Sequence, residues 1–140
     1  MQEQIVKDLI ELVQLPVQSR NERLIADNLK AKLQALGLSV VEDEILVDGG
    51  NTGNIRAVLK GEPAIEPILF SAHMDRVKNN NEIHPVLDEE NNILRADGIT
   101  ILAADDVSGI SVILDALRRI KASDKPHGDI EVAFSVCEEA

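Results

Sequence analysis

A chain of 140 residues with a formal net charge of -11 is long enough for one domain with a buried core. It carries no basic stripe to neutralise nucleic-acid phosphates or to hold an anionic membrane surface. Aromatic residues make up 1% and neither Trp nor Tyr occurs, so the expected core is aliphatic, built from Val, Ile, Leu and Ala.

In chain order, residues 3–14 place Ile5, Val6, Leu9, Ile10, Leu12 and Val13 on a helical stripe, and Pro16 ends it because proline cannot continue the hydrogen-bond ladder. Ser19-Arg20-Asn21-Glu22 has the Ser-x-x-Glu form of a capping box. Behind it Leu24, Ile25, Leu29, Leu33 and Leu36 recur at helical spacing, with Gly37 as a left-handed stop. Leu38 to Val41 starts a strand, Ile45 to Gly53 reads as a turn-rich loop or hairpin, and Asn54 to Lys60 alternates like a half-buried strand.

Ile68-Leu69-Phe70-Ser71-Ala72 is nearly continuous in apolar or small side chains, the pattern of a strand covered on both faces. It delivers His73 and Asp75 to its carboxyl end, where open α/β sheets place their chemistry. Two residues apart in extended chain, they point to one side, so the carboxylate can orient the imidazole of a metal ligand. Residues 76–90 are polar and read as a surface loop, with Val86 and Leu87 pairing briefly. Asn91-Asn92 turns into a short strand at Ile93-Leu94-Arg95.

Asp97-Gly98 is a turn, and Ile99 to Ala104 leads to Asp105-Asp106 at the start of an amphipathic helix carrying Val107, Ile110, Val112, Ile113, Leu114, Leu117 and Ile120. A helix amino terminus stabilises carboxylates; Asp106 fits either a helix cap or a support beside a metal. Ile130 to Val136 is a strand that delivers Cys137, Glu138 and Glu139. Cys137 reads as a small buried hydrophobe, and His84 and His127 as surface residues. The β-α alternation favours a layered α/β arrangement with helices on both faces of a sheet.

No apolar run approaches the roughly 20 residues that span a bilayer, and Met1-Gln2-Glu3-Gln4 lacks the basic-then-apolar order of a secretion signal. A single cysteine forms no internal disulfide. A cytoplasmic setting is the simplest expectation.

Three acidic or histidine groups therefore follow apolar approaches: His73 and Asp75, Asp105 and Asp106, Glu138 and Glu139. One nitrogen and several carboxylates suit zinc or another first-row divalent ion, and an unliganded glutamate nearby can act as a base. The ordered segments Ser71-Ala72-His73-Met74-Asp75, Asp97 to Asp106 and Glu138-Glu139, with Ile10 to Gln14 and Asn21-Glu22-Arg23, resemble the zinc exopeptidases, specifically the peptidase T and tripeptidase-like branch of the aminoacylase and carboxypeptidase group. The resemblance spans nearly the whole chain.

It implies a three-layer catalytic domain with a mixed sheet, and two zinc ions per complete site, with cobalt or manganese as substitutes. His73 would ligate one metal, Asp105 would bridge both and Glu139 would ligate the second. Asp75 would hold the imidazole, and Glu138 would be the general base in hydrolysis of short peptides, tripeptides among them, from the amino end. The Asp105–Asp106 peptide would be cis. The family pattern has Gly, then Lys-Ala-Gly, where Ala103 and Val107-Ser108-Gly109 stand here, so a charge near the metals would be missing at Val107. Residues 1–140 would form the amino-terminal part of that domain. A further acidic ligand, a late histidine and a lid domain would lie outside it, leaving the chain weak in metal binding and inactive alone. Other expectations are a peptide-binding module without catalysis, a fragment that self-associates through an exposed sheet edge, and a related deacylase or carboxypeptidase.

Overall fold

The computed structural model describes residues 3–140. Helix α1 spans Gln4–Gln14 and buries Asp8, Leu12 and Val13. It stops where expected: Leu15 is extended, the conformation forced on a residue that precedes a proline. The last carbonyls of a helix lack partners within it, and the buried Arg76 supplies them, its Nη1 donating to Val13 O at 2.8 Å and its Nη2 to Leu12 O at 3.1 Å.

Helix α2, Arg23–Ala35, buries Ile25, Ala26, Leu29 and Leu33. Its stop is a Schellman motif. Gly37 adopts φ +87°, Gly37 N–H donates to Gln34 O and Leu38 N–H to Leu33 O. Its start differs from the expected capping box. Glu22 occupies the cap position without a side-chain cap bond; its carboxylate accepts from Arg20 N–H at 3.0 Å, and the Ser19 hydroxyl donates to Asp75 at 2.6 Å. Both side chains also meet partners distant in sequence, Ser19 at Asp75 and Glu22 at the Cys137 amide, 3.1 Å from its Oε1.

Strands β1 (Ser39–Glu42), β2 (Ile55–Leu59), β3 (Ile68–His73), β4 (Val86–Asp88) and β5 (Ile93–Arg95) are followed by helix α3 (Ala104–Ala122) and strand β6 (Ile130–Ser135). The main sheet has the order β1-β2-β6-β3. β2 is antiparallel to both β1 and β6, whereas β3 runs parallel to β6, so the sheet is mixed, as the resemblance implied. β4 and β5 form a separate hairpin around the Asn91-Asn92 turn.

Burial alternates. Ile55, Ala57, Ile130, Val132, Phe134 and Ala72 share one face and are buried, while Val41, Arg56, Glu131 and Leu69 on the other face are exposed. Among the described residues, therefore, the helices cover one face of the sheet. The expectation that β3 is covered on both faces is corrected: Ile68 is 53% and Leu69 61% exposed. β3 is an edge strand, and only its carboxyl-terminal residues Ala72 and His73 are buried. Among the described residues no helix is long and apolar enough to cross a membrane.

Ion pairs fasten the layers. Buried Asp8 on α1 meets Lys32 of α2 at 3.1 Å and Arg118 of α3 at 2.5 Å. Glu42 on β1 takes Arg23 and Lys30 from α2, with Thr52 and Gly53 as further donors. The hydrogen bond from Arg23 is the largest of the effects that hold the Glu42 carboxyl far below its ordinary value of 4.5. A depressed folded-state pKa contributes stability above the unfolded value that is lost as pH falls toward the folded one. The melting temperature is accordingly expected to fall as pH drops below about 4.5, and Glu42→Gln to flatten that part of a calorimetric pH series.

Candidate metal centre

β3 and β6 are parallel, with His73 opposite Ser135, so both strands release their chains at the same end of the sheet. His73 closes β3, and Glu138 and Glu139 lie three and four residues past β6. The third contributor, Asp105, stands at the kinked start of α3, preceded by Ala103 in the left-handed region. Nε2 of His73 lies 2.9 Å from Asp105 Oδ1, and ligand atoms of His73, Asp105 and Glu139 all fall within 4.8 Å of one another. Glu138 Oε2 is 3.8 Å from the same nitrogen. The three expected segments do converge.

The imidazole has a defined orientation. Its Nδ1 lies 3.0 Å from the Asp75 carbonyl oxygen and 3.3 Å from Asp75 Oδ1, both acceptors, which assigns the proton to Nδ1. In that neutral tautomer Nε2 presents a lone pair to a carboxylate oxygen at 2.9 Å. Two acceptors at that separation need a proton or a cation between them. Burial alone would lower the His73 pKa, but the Asp105 and Asp75 contacts outweigh it and push it up. A nitrogen and two carboxylates that attract positive charge to one point fit a divalent ion of the zinc type.

Asp75, 1% exposed, reaches further than the imidazole. Its Oδ1 accepts from Glu138 N–H at 2.9 Å, and its Oδ2 from Glu139 N–H at 2.9 Å and the Ser19 hydroxyl at 2.6 Å. Burial would raise its pKa, yet these donors, Ser19 first among them, bring it below the ordinary value. The two preceding amides are held too: Val136 N–H donates to Asn54 Oδ1 and Cys137 N–H to Glu22 Oε1, each at 3.1 Å. Ser19, Glu22 and Asn54 escaped the sequence reading as site residues. The Ser-x-x-Glu spacing was visible but carried a different meaning.

Asp105 and Asp106 separate in role. Their peptide bond is cis, and Asp106 turns its Oδ1 to Gly109 N–H at 3.2 Å, an N-cap for the regular helix that begins at Val107. A Cβ at Gly109 would stand 2.4 Å from that oxygen, which accounts for glycine there. Val107, read as a lost charge beside the metals, is 2% exposed and belongs to the core. Cys137 is half-buried rather than fully enclosed, with its thiol 3.5 Å from Glu22 Oε1. His84 lies 3.9 Å from Glu82 and His127 bonds the Gly128 carbonyl; neither enters the cluster. The centre is open, Asp105 being 80% exposed in its side chain. A cleft of about 510 Å³ is lined by Gln14, Gln18, Asn21, Arg76 and residues 79–83, and by none of the residues of the centre.

The model of Peptidase family M28 matches residues 54–140. Peptidase T of Pectobacterium carotovorum is 38% identical over 79 residues, covering 56% of this chain and 16% of its own. Aminopeptidase PepT from Bacillus cereus superposes with a TM-score of 0.92 at 35% identity, over 100% of this chain and 38% of that one. A tripeptidase from Staphylococcus aureus superposes with a TM-score of 0.89 at 32% identity, over 96% of this chain and 36% of that one. The chain thus spans well under half the length of these proteins.

Proposed function

The chain belongs to peptidase family M28, and on that premise we propose that it carries the metal-binding core of an exopeptidase that releases amino-terminal residues from short peptides. The observation that carries this reading is the meeting of His73, Asp105 and Glu139 ligand atoms within 4.8 Å. His73 would hold one zinc ion through Nε2, Glu139 a second, and Asp105 both, with cobalt or manganese as substitutes. Bound there, the metal pair supplies Lewis acidity, polarising the substrate carbonyl and making water nucleophilic at neutral pH. Asp75 keeps the imidazole proton on Nδ1 so that Nε2 stays free to ligate. Glu138, not needed as a ligand, takes the proton from the attacking water and returns it to the departing amine.

Tripeptides are the substrate class this reading favours, and the Staphylococcus aureus tripeptidase, similar along 96% of this chain, supports it. A cytoplasmic setting goes with it, in keeping with the single cysteine. With Asp105 shared, each metal draws two ligands from these residues, whereas zinc sites gather three or four. Residues 1–140 alone are therefore expected to bind zinc weakly and turn over little peptide.

The test is a graft. Residues 1–140 replace the matching segment of the Bacillus cereus aminopeptidase PepT, and release of the amino-terminal residue from a tripeptide is followed with zinc or cobalt added. Activity in the graft with little in the isolated chain is the expected pair of results. A folded graft without activity contradicts the catalytic reading, and robust turnover by the isolated chain contradicts the ligand count. A second reading, a self-associating module, is favoured by the exposed Ile68 and Leu69 on edge strand β3, since an unpaired edge is a pairing template. A monomer mass by light scattering would remove it.

A further inference from the structure

Past Ser135 the chain leaves the sheet, and four consecutive amides lose their strand partners. Each finds a side-chain acceptor from elsewhere: Val136 from Asn54, Cys137 from Glu22, Glu138 and Glu139 from the two oxygens of Asp75. Cys137 sits in the left-handed region at φ 56°, a conformation that a non-glycine residue keeps only under outside restraint. Two of these acceptor positions trace to one short segment, the link between α1 and α2. Ser19 donates to Asp75 Oδ2 at 2.6 Å, fixing the carboxylate that grips Glu138 and Glu139. Glu22 is 0% exposed and its Oε1 accepts from the amide of Cys137 and from Arg20 N–H.

The link is itself anchored. Ser19 N–H donates to Arg76 O at 3.1 Å, one residue beyond Asp75, and Gln18 pairs with Asn21 in an antiparallel bridge. Capping would have kept both side chains on α2, yet neither makes a cap bond there. A buried carboxylate held against a distant backbone is costly unless its donors are in place, and one of the two backbone donors to Glu22 Oε1, the Cys137 amide, belongs to the turn that carries the acidic pair.

We propose that Ser19 and Glu22 are positioning residues for the metal centre: the α1–α2 link sets where Glu138 and Glu139 stand, Ser19 through Asp75 and Glu22 through Cys137. The inference rests on the reading of Glu138 as base and Glu139 as ligand. Hydrogen-bonded partners one step behind a ligand typically govern about 10- to 100-fold in metal affinity.

The experiment compares the 140-residue chain with Ser19→Ala, Glu22→Leu and Glu22→Gln, the last retaining a carbonyl oxygen that can accept from Cys137. Zinc titration calorimetry is combined with NMR hydrogen exchange at the amides of Cys137, Glu138 and Glu139. Ser19→Ala is expected to weaken zinc binding about tenfold and to speed exchange at Glu139 more than at amides within β6. Glu22→Leu should speed exchange at Cys137 and weaken zinc likewise, with Glu22→Gln restoring both toward the parent. Unchanged exchange at these amides in both Ser19→Ala and Glu22→Leu overturns the proposal, as does faster exchange with unchanged zinc affinity. Should Glu22→Leu fail to fold, Ser19→Ala decides. If the parent binds no zinc, the metal-centre reading fails on its own, and the exchange rates still decide whether the link positions the acidic turn.

Discussion

Replacing Asp75 by alanine is expected to weaken zinc binding by about 100-fold and to destabilise the chain by ~3 kcal/mol, more than a single partner's loss would explain. Asp75 is buried and accepts from the Glu138 and Glu139 amides and from Ser19 while it faces His73 Nδ1. Alanine strands three donors at once and removes the carboxylate from beside His73 Nδ1, leaving the ring only the residue 75 carbonyl oxygen. Asp75→Asn separates charge and shape from acceptor count. Asparagine has the same outline, but its NH2 must point at one of these N–H or O–H donors, so it too is expected to lose most of the metal affinity. Calorimetry for zinc and urea denaturation for stability read the two effects. An asparagine variant that binds zinc like the parent would show that Asp75 acts by volume alone.

Glu138→Gln should act on turnover and leave binding intact. In the PepT graft it is expected to lower kcat by about 10²- to 10⁴-fold, the range for a positioned acid–base group, with zinc affinity and KM close to the parent's. Glutamine keeps the backbone bond to Asp75 Oδ1 and the side-chain size but cannot take a proton from water. Parallel loss of zinc affinity and kcat would instead make Glu138 a ligand, and the roles of the two glutamates would exchange.

The contrast between these glutamates and the link that holds them marks where the sequence is legible. Helix limits follow from local rules: Pro16 after α1 and Gly37 after α2 act through backbone geometry within a few residues, and both stops appear as read. That His73, Asp105 and Glu139 come together could also be expected, because apolar approaches lead to each and the ordered segments resemble a known family. Strand order is different. Ile68 and Leu69 look like interior residues, yet among the described residues Leu69 lies on the face that no helix covers and β3 ends the sheet order, both properties of pairing and packing across the fold. Ser19 and Glu22 fail for a related reason. Their bonds reach residues 56 and 115 positions away, and a local motif describes only the partners a side chain would take if the rest of the chain were absent.

X-ray absorption at the zinc edge, on the zinc-loaded chain and on His73→Ala, tests the centre most directly. The account predicts a first shell of nitrogen and oxygen at about 2.0–2.2 Å, an imidazole scattering pattern in the parent, and loss of that pattern in His73→Ala. A sulfur shell near 2.3 Å, which only Cys137 or a methionine could supply, or an imidazole pattern that survives His73→Ala, would contradict it.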